Sequence, residues 1–213
     1  MNFYFHMIID PFGPLIYFSE ISEEFLFYLK NVSKNSKNAE DVGFNLAGNI
    51  SDQKIAEARP KQLFDHIYPY VKDYLSGNFD RAEKYVQEYK RPTLNNISFD
   101  LGAGPWINYQ KKHEFNPIHK HSGDLSSVIF IDIPEEIEKE SLQWAGKTNC
   151  PSPGMLEFVY STHTFMCSNS HKVIPKTGQI YIFPAELKHC VYPFSSDVTR
   201  VTMSFNIHNL QFD

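Results

Sequence analysis

Val198-Thr-Arg-Val-Thr-Met-Ser-Phe-Asn-Ile-His208 places Arg200, Thr202, Ser204 and Asn206 on one face of an extended chain and Val201, Met203, Phe205 and Ile207 on the other. Side chains of a strand point alternately to opposite faces, so this period of two marks a strand lying between two environments. In an isolated antiparallel strand the polar face would lie in water. The other reading sets the apolar face against helices and the polar face inside a barrel. A guanidinium in such an interior is buried, which is costly unless an anion pairs with it. A dicarboxylate supplies that anion, and the planar fork of Arg200 suits bidentate carboxylate binding.

Working outward, further β-prone runs occupy Asn96–Gly102, Pro105–Lys111, Ser126–Ile133, Met155–Ser161, Thr162–Cys167, Gly178–Pro184 and His189–Phe194, each bounded by turn residues. Short strands with regular turns imply an antiparallel sandwich or barrel. Before residue 96 the pattern is helical. Ser19 or Ser22 can cap a helix through Phe25, Leu26 and Leu29, with the polar stretch Asn31–Asp41 breaking it. A second helix is expected after Pro60, where Leu63, Phe64, Ile67, Tyr68, Val71 and Tyr74 recur at helical spacing, and a third over Phe79–Tyr89. The apolar start, Met1–Phe18, reads as a buried strand. The expectation is one mainly β domain over 1–213: a helical support region at 1–95, packed on a double-stranded β-helix (a jelly-roll or cupin-like barrel) at 96–213.

The chain has 213 residues, 42% hydrophobic and 15% aromatic, and a net charge of −5 without any Lys/Arg cluster. That size buries a sizeable core without disulfides or structural metals. The charge argues against a broad nucleic-acid surface. Cys150, Cys167 and Cys190 show no pairing pattern and read as free thiols in a reducing compartment. The apolar N-terminus lacks the basic start and cleavage site of a signal peptide and is too short to span a bilayer. The expectation is a cytoplasmic protein without membrane contact. Its oligomeric state is not set by any feature of the sequence.

The chemistry-bearing residues lie in two segments. In Asn116-Pro-Ile-His-Lys-His-Ser-Gly-Asp124, His119 and His121 share one face of a strand and can each offer a nitrogen to one metal ion. Asp124 follows across a turn-prone Ser-Gly pair that can swing its carboxylate toward the same ion. In Phe183-Pro-Ala-Glu-Leu-Lys-His189, the histidine comes just after a strand and loop, where it can meet the first pair across a barrel. Taken singly, each histidine has a bland reading as an exposed or strand-end residue.

In order and content, Trp106-Ile-Asn108, His119-Lys-His121, Leu125-Ser-Ser127, Phe183–His189, Arg200 and Ser204-Phe-Asn206 resemble the 2-oxoglutarate/Fe(II) oxygenases, and more closely their prolyl-hydroxylase-like branch of bacteria and phages. The resemblance covers about residues 104–209. Asn45-Leu-Ala-Gly-Asn49 is similar to a segment of the phage members. The superfamily usually supplies iron with HxD and a distal His, whereas here His121 stands where that Asp would fall. Ligands His119 and His189 are thus implied, with His121 or Asp124 as the third.

The resemblance implies Fe(II), 2-oxoglutarate as cosubstrate and O2. It places Arg200 with Thr202 or Ser204 on the distal carboxylate, and Asn108 in the cosubstrate pocket. The implied reaction is hydroxylation of an unactivated C–H bond with release of succinate and CO2. Its substrate is a small molecule or peptide, with peptidyl proline as the first candidate. The rival is a non-oxidative cupin-like module binding a metal or small acid, which would not need an arginine on the ligands' interior face.

Overall fold

Residues 6–9, 13–85, 88–162 and 168–213 are described by the structure, a computed structural model. Two antiparallel strands, β1 (His6–Ile9) and β2 (Ile16–Glu20), come first. The expected single N-terminal strand is therefore two, and Gly13, at φ +85°, belongs to the connection between them.

Helix α1 (Glu23–Asn35) starts where Ser22 caps it, its hydroxyl accepting the Phe25 N–H. The helix outruns the expected break at Asn31. Val32 and Ser33 are buried, and the Ser36 hydroxyl donates to the Val32 carbonyl at its end. After β3 (Gln53–Ile55) comes α2 (Pro60–Tyr85). The two helices expected here are one. Tyr74, Leu75 and Phe79 continue the buried stripe of Leu63, Ile67 and Val71, so packing overrides the poor helix formers Ser76-Gly77-Asn78.

The β-rich part contains β4 (Ile97–Asp100), β5 (Trp106–Gln110), β6 (Asn116–His119) and β7 (Leu125–Asp132). A helix not anticipated from the sequence, α3 (Glu135–Ala145), interrupts them; it buries one large apolar side chain, Ile137, and so leaves little periodic signal. Then follow β8 (Leu156–Val159), β9 (Ser170–Val173), β10 (Gln179–Pro184), β11 (Lys188–Val191) and β12 (Arg200–Phe212). Nearly all of the expected strand at Thr162–Cys167 lies outside the described residues.

The strands form two antiparallel sheets. The larger has the order β1-β2-β10-β7-β12-β5-β3, with β4 also paired to β12, and the smaller has the order β6-β11-β8-β9. This alternate placing of successive strands in two facing sheets is the double-stranded β-helix. The N-terminal region is not only helical, since β1, β2 and β3 extend the larger sheet at both ends.

The alternation in β12 now has a physical cause. Met203, Phe205 and Ile207 join Ile129, Ile131 and Ile180 in one core with Phe25, Leu29, Leu63 and Ile67 of the helices. Each such side chain contributes about 1.5–3 kcal/mol by leaving water. A second core between the sheets contains Phe130, Phe158, Tyr181, Phe183 and Leu187. The polar face of β12 therefore points into the barrel, where Arg200 and Thr202 are buried. Among the described residues, no helix is long and apolar enough to cross a membrane.

Candidate metal and cosubstrate site

Strands β6 and β11 pair with His119 directly opposite His189. His121 lies two residues beyond His119, and its N–H donates to the Ala185 carbonyl at 2.9 Å. The His119 ring centroid is 4.3 Å from that of His189 and 4.9 Å from that of His121. The Nε2 atoms of His121 and His189 stand 3.2 Å apart. One ligand atom from each of the three residues lies within 4.8 Å of the others, close enough for all three to reach one metal ion.

Backbone carbonyls orient two of the rings. His119 Nδ1 lies 2.7 Å from the Pro117 carbonyl and His189 Nδ1 lies 2.9 Å from that of Leu187. A carbonyl only accepts, so each Nδ1 carries the proton and each Nε2 keeps a lone pair for a metal. Burial pulls His189 down to about 3 and His121 down to about 4, and lowers His119 as well. The imidazoles are therefore neutral near pH 7, the form that ligates metals.

Asp124, the alternative third ligand, is placed elsewhere. Its N–H donates to the Ile207 carbonyl and its carboxylate accepts the Leu210 N–H, both against β12. Gly123 between it and the histidines sits at φ +102°, and a Cβ there would come within 2.7 Å of the Ile207 carbonyl oxygen. The turn thus packs onto β12 and carries the carboxylate away from the cluster.

Deeper in the same pocket, Arg200 faces Gln110 across β12 and β5. Its Nη1 donates to Gln110 Oε1 at 3.1 Å, and the guanidinium sits 5.1 Å from the Phe130 ring centroid. The side chain is 2% exposed, yet Nε and Nη2 have no hydrogen-bond partner. Burial lowers its pKa to about 9. Two buried cationic donors without acceptors are costly, and a bound carboxylate satisfies both.

Thr202, Ser204 and Asn108 line this pocket too. Asn108 Nδ2 donates to Thr202 Oγ1 at 3.2 Å and to Ser204 Oγ at 3.4 Å, and Asn108 Oδ1 accepts from Gln53 at 2.8 Å. Ser127 adds a buried hydroxyl without a partner. These residues fit a metal chelated by a dicarboxylic keto acid: neutral imidazoles at one end, unsatisfied cationic donors at the other. The chamber is tight, about 40 Å³, and Leu46, Ala47 and Ile50 of the segment Val42–Ile50 close it.

Sequence reasoning missed Gln53, Gln110 and Phe130, and had Ser127 only as part of the motif Leu125-Ser-Ser127, with no role in the site. Gln110 shares the face of Trp106 and Asn108 by alternation, a legible signal. Gln53 had none, since it sits on a three-residue strand in a region read as helical.

Residues 104–206, just under half of the chain, match the family model described as "Putative 2OG-Fe(II) oxygenase". Among solved structures, the chain is similar to a Pseudomonas putida prolyl-4-hydroxylase, with 13% identity, a TM-score of 0.47, and coverage of 90% of this chain and 91% of that one. It is also similar to a Trichoplax adhaerens prolyl hydroxylase in complex with a hypoxia inducible factor peptide fragment, with 12% identity, a TM-score of 0.48, and coverage of 96% and 83%. No curated protein sequence matches the chain.

Proposed function

We propose that this chain is a 2-oxoglutarate/Fe(II)-dependent oxygenase that hydroxylates an aliphatic C–H bond, with His119, His121 and His189 holding the iron and Arg200 anchoring the cosubstrate. The observation that carries this reading is the shared chamber, in which three converging imidazoles face a buried arginine with two unsatisfied donors. The match to the oxygenase family model and the buried arginine on the ligands' interior face favour an oxidoreductase over the non-oxidative module.

When bound, Fe(II) with 2-oxoglutarate would activate O2 for hydroxylation, one oxygen atom ending in the succinate left after loss of CO2 and the other in the new hydroxyl group of the substrate. The chain's own residues do the rest. Arg200 pairs with the distal carboxylate, and the Thr202 or Ser204 hydroxyl adds a hydrogen bond. Asn108, fixed by Gln53, orients those hydroxyls. Phe183 and Phe158 pack against the His189 ring and keep water from that side of the metal site. The Pro117 and Leu187 carbonyls hold two Nδ1 protons in place, so the ligating lone pairs need no reorganisation.

The motif order of the prolyl-hydroxylase-like branch makes peptidyl proline the first substrate to try. The decisive experiment on the reaction class is an anaerobic titration with Fe(II) and 2-oxoglutarate. A visible metal-to-keto-acid charge-transfer band is expected, and its absence in the iron-loaded protein would sink the assignment.

A further inference from the structure

We propose that Cys150 and Lys172 form a reversible modification site, in which a hydroperoxide oxidises the thiol, Nζ bonds covalently to Sγ, and reducing thiols undo the link. The site is independent of the oxygenase reading, since neither residue lines the metal and cosubstrate chamber.

The pair lies on the back of the smaller sheet. Lys172 of β9 stands opposite Glu157 of β8, and Glu157 stands opposite Cys190 of β11. Residues directly opposite one another share a face, so these three side chains form a row. The neighbouring register pair, His189 and Phe158, faces the other way, toward the barrel interior.

Beyond α3, residues 148–152 fold onto the Lys172 ammonium. Its Nζ donates to Cys150 Sγ at 2.8 Å and to Ser152 Oγ at 2.7 Å, and it sits 5.1 Å from the Tyr192 ring centroid. The loop is also tied to itself. The Cys150 N–H donates to Thr148 Oγ1 at 3.3 Å, and the Ser152 hydroxyl donates to the Cys150 carbonyl at 3.1 Å. The amine is therefore fixed on three sides, with the sulfur in contact on one of them.

Exposure separates the two described thiols. Cys150 is exposed and Cys190 is buried. Oxidation of cysteine follows access, so a peroxide in solution reaches the first sulfur and not the second. Burial also pushes the Cys190 thiol up, which keeps it protonated and a poor partner for a disulfide. The nucleophile in contact with the Cys150 sulfur is the Lys172 amine.

The chemistry needs no oxidant besides the hydroperoxide. In the first step its O–O bond breaks: Cys150–SH becomes the sulfenic acid Cys150–SOH, and the hydroperoxide leaves as an alcohol, or as water from hydrogen peroxide. The sulfur loses two electrons and the peroxide gains them. In the second step Nζ releases one proton to water and attacks Sγ. The S–N bond forms, the S–O bond breaks, and the hydroxyl takes the second Nζ proton and leaves as water. The product is a sulfenamide, the same condensation that sulfenic acids undergo with a backbone nitrogen. A thiol reverses it by attacking Sγ and expelling the amine, and a second thiol resolves the mixed disulfide.

The test treats the whole chain with stoichiometric hydrogen peroxide and reads the digested protein by mass spectrometry. The expected product is a pair of peptides joined through Cys150 and Lys172, lighter by two hydrogens than their sum and separated by dithiothreitol. Lys172→Arg keeps the positive charge without a nucleophilic amine. It should lose the linked pair and show a several-fold rise in Cys150 sulfenic acid trapped by dimedone. A disulfide from Cys150 to Cys167 or Cys190, a linked pair that retains an oxygen atom, or a link to a different lysine overturns the assignment. So does dimedone trapping in the wild type that equals that of Lys172→Arg.

Discussion

His119 and His189 are register partners on β6 and β11, and their ring centroids lie 4.3 Å apart. The pairing of two strands far apart in sequence thus positions two imidazoles as rigidly as a hairpin would. His121 joins them from just beyond the end of β6, held by its N–H to the Ala185 carbonyl. Backbone hydrogen bonding therefore orients the cluster before any ion arrives.

Removal of one imidazole should abolish stoichiometric metal binding. His189→Ala is expected to lose it, as measured by metal content after dialysis. Asp124→Ala should keep full occupancy, because that carboxylate caps the Leu210 amide instead. Its signature is faster hydrogen exchange at Leu210. Loss of metal in the Asp124 variant would restore the carboxylate as a ligand.

Arg200→Leu should weaken 2-oxoglutarate binding by about 2–5 kcal/mol, the range for truncating one partner of a buried charged pair. Calorimetry reads this directly, and metal affinity should not change. The ligand-free variant should melt close to the wild type, because deleting two buried donors without partners offsets the loss of the hydrogen bond to Gln110. A lower melting temperature without ligand would mean that Arg200 is a structural residue first.

Glu140 supplies a pH-dependent contribution to stability. Burial pushes its carboxyl up, but hydrogen bonds from Ser196 and Ser195 outweigh this and hold it below the ordinary carboxylate range. A depressed folded-state pKa stabilises above the unfolded value, near 4.3, and the benefit is lost as pH falls through the folded value. Glu140→Gln should therefore destabilise at pH 7 by about 1–3 kcal/mol. The gap to the wild type should close in acid. Parallel urea titrations at several pH values check both the size and the sign.

Two glycines should differ in their tolerance of alanine. Both Gly102 and Gly123 have positive φ, at +57° and +102°. The Cβ on Gly102 meets the His208 side chain, which can rotate away, whereas on Gly123 it meets the Ile207 backbone oxygen. Gly123→Ala should cost about 1–3 kcal/mol, the scale of stored backbone strain, and Gly102→Ala less. Equal costs in chemical denaturation would show that the β12 backbone yields as readily as a side chain.

The local rules were strong enough to orient single elements from sequence alone. The period of two over residues 200–207 set Arg200 and Thr202 against Met203 and Phe205, and the same rule put His119 and His121 on one side. The start of α1 was narrowed to Ser19 or Ser22, and Ser22 is the cap, because a cap is a contact within one turn. The end of α1 and the unity of α2 were not legible. Propensity in Asn31–Asn35 and Ser76–Asn78 is weak, and burial against the sheet overrides it. The third ligand was also beyond reach. Whether His121 or Asp124 faces His189, sixty-eight residues on from His121, depends on how the Ser122-Gly123 turn packs against β12. The same holds for Gln110 opposite Arg200 and for Gln53 behind Asn108. Register between distant strands is chosen by the burial of whole faces at once, and no short window of sequence contains both faces.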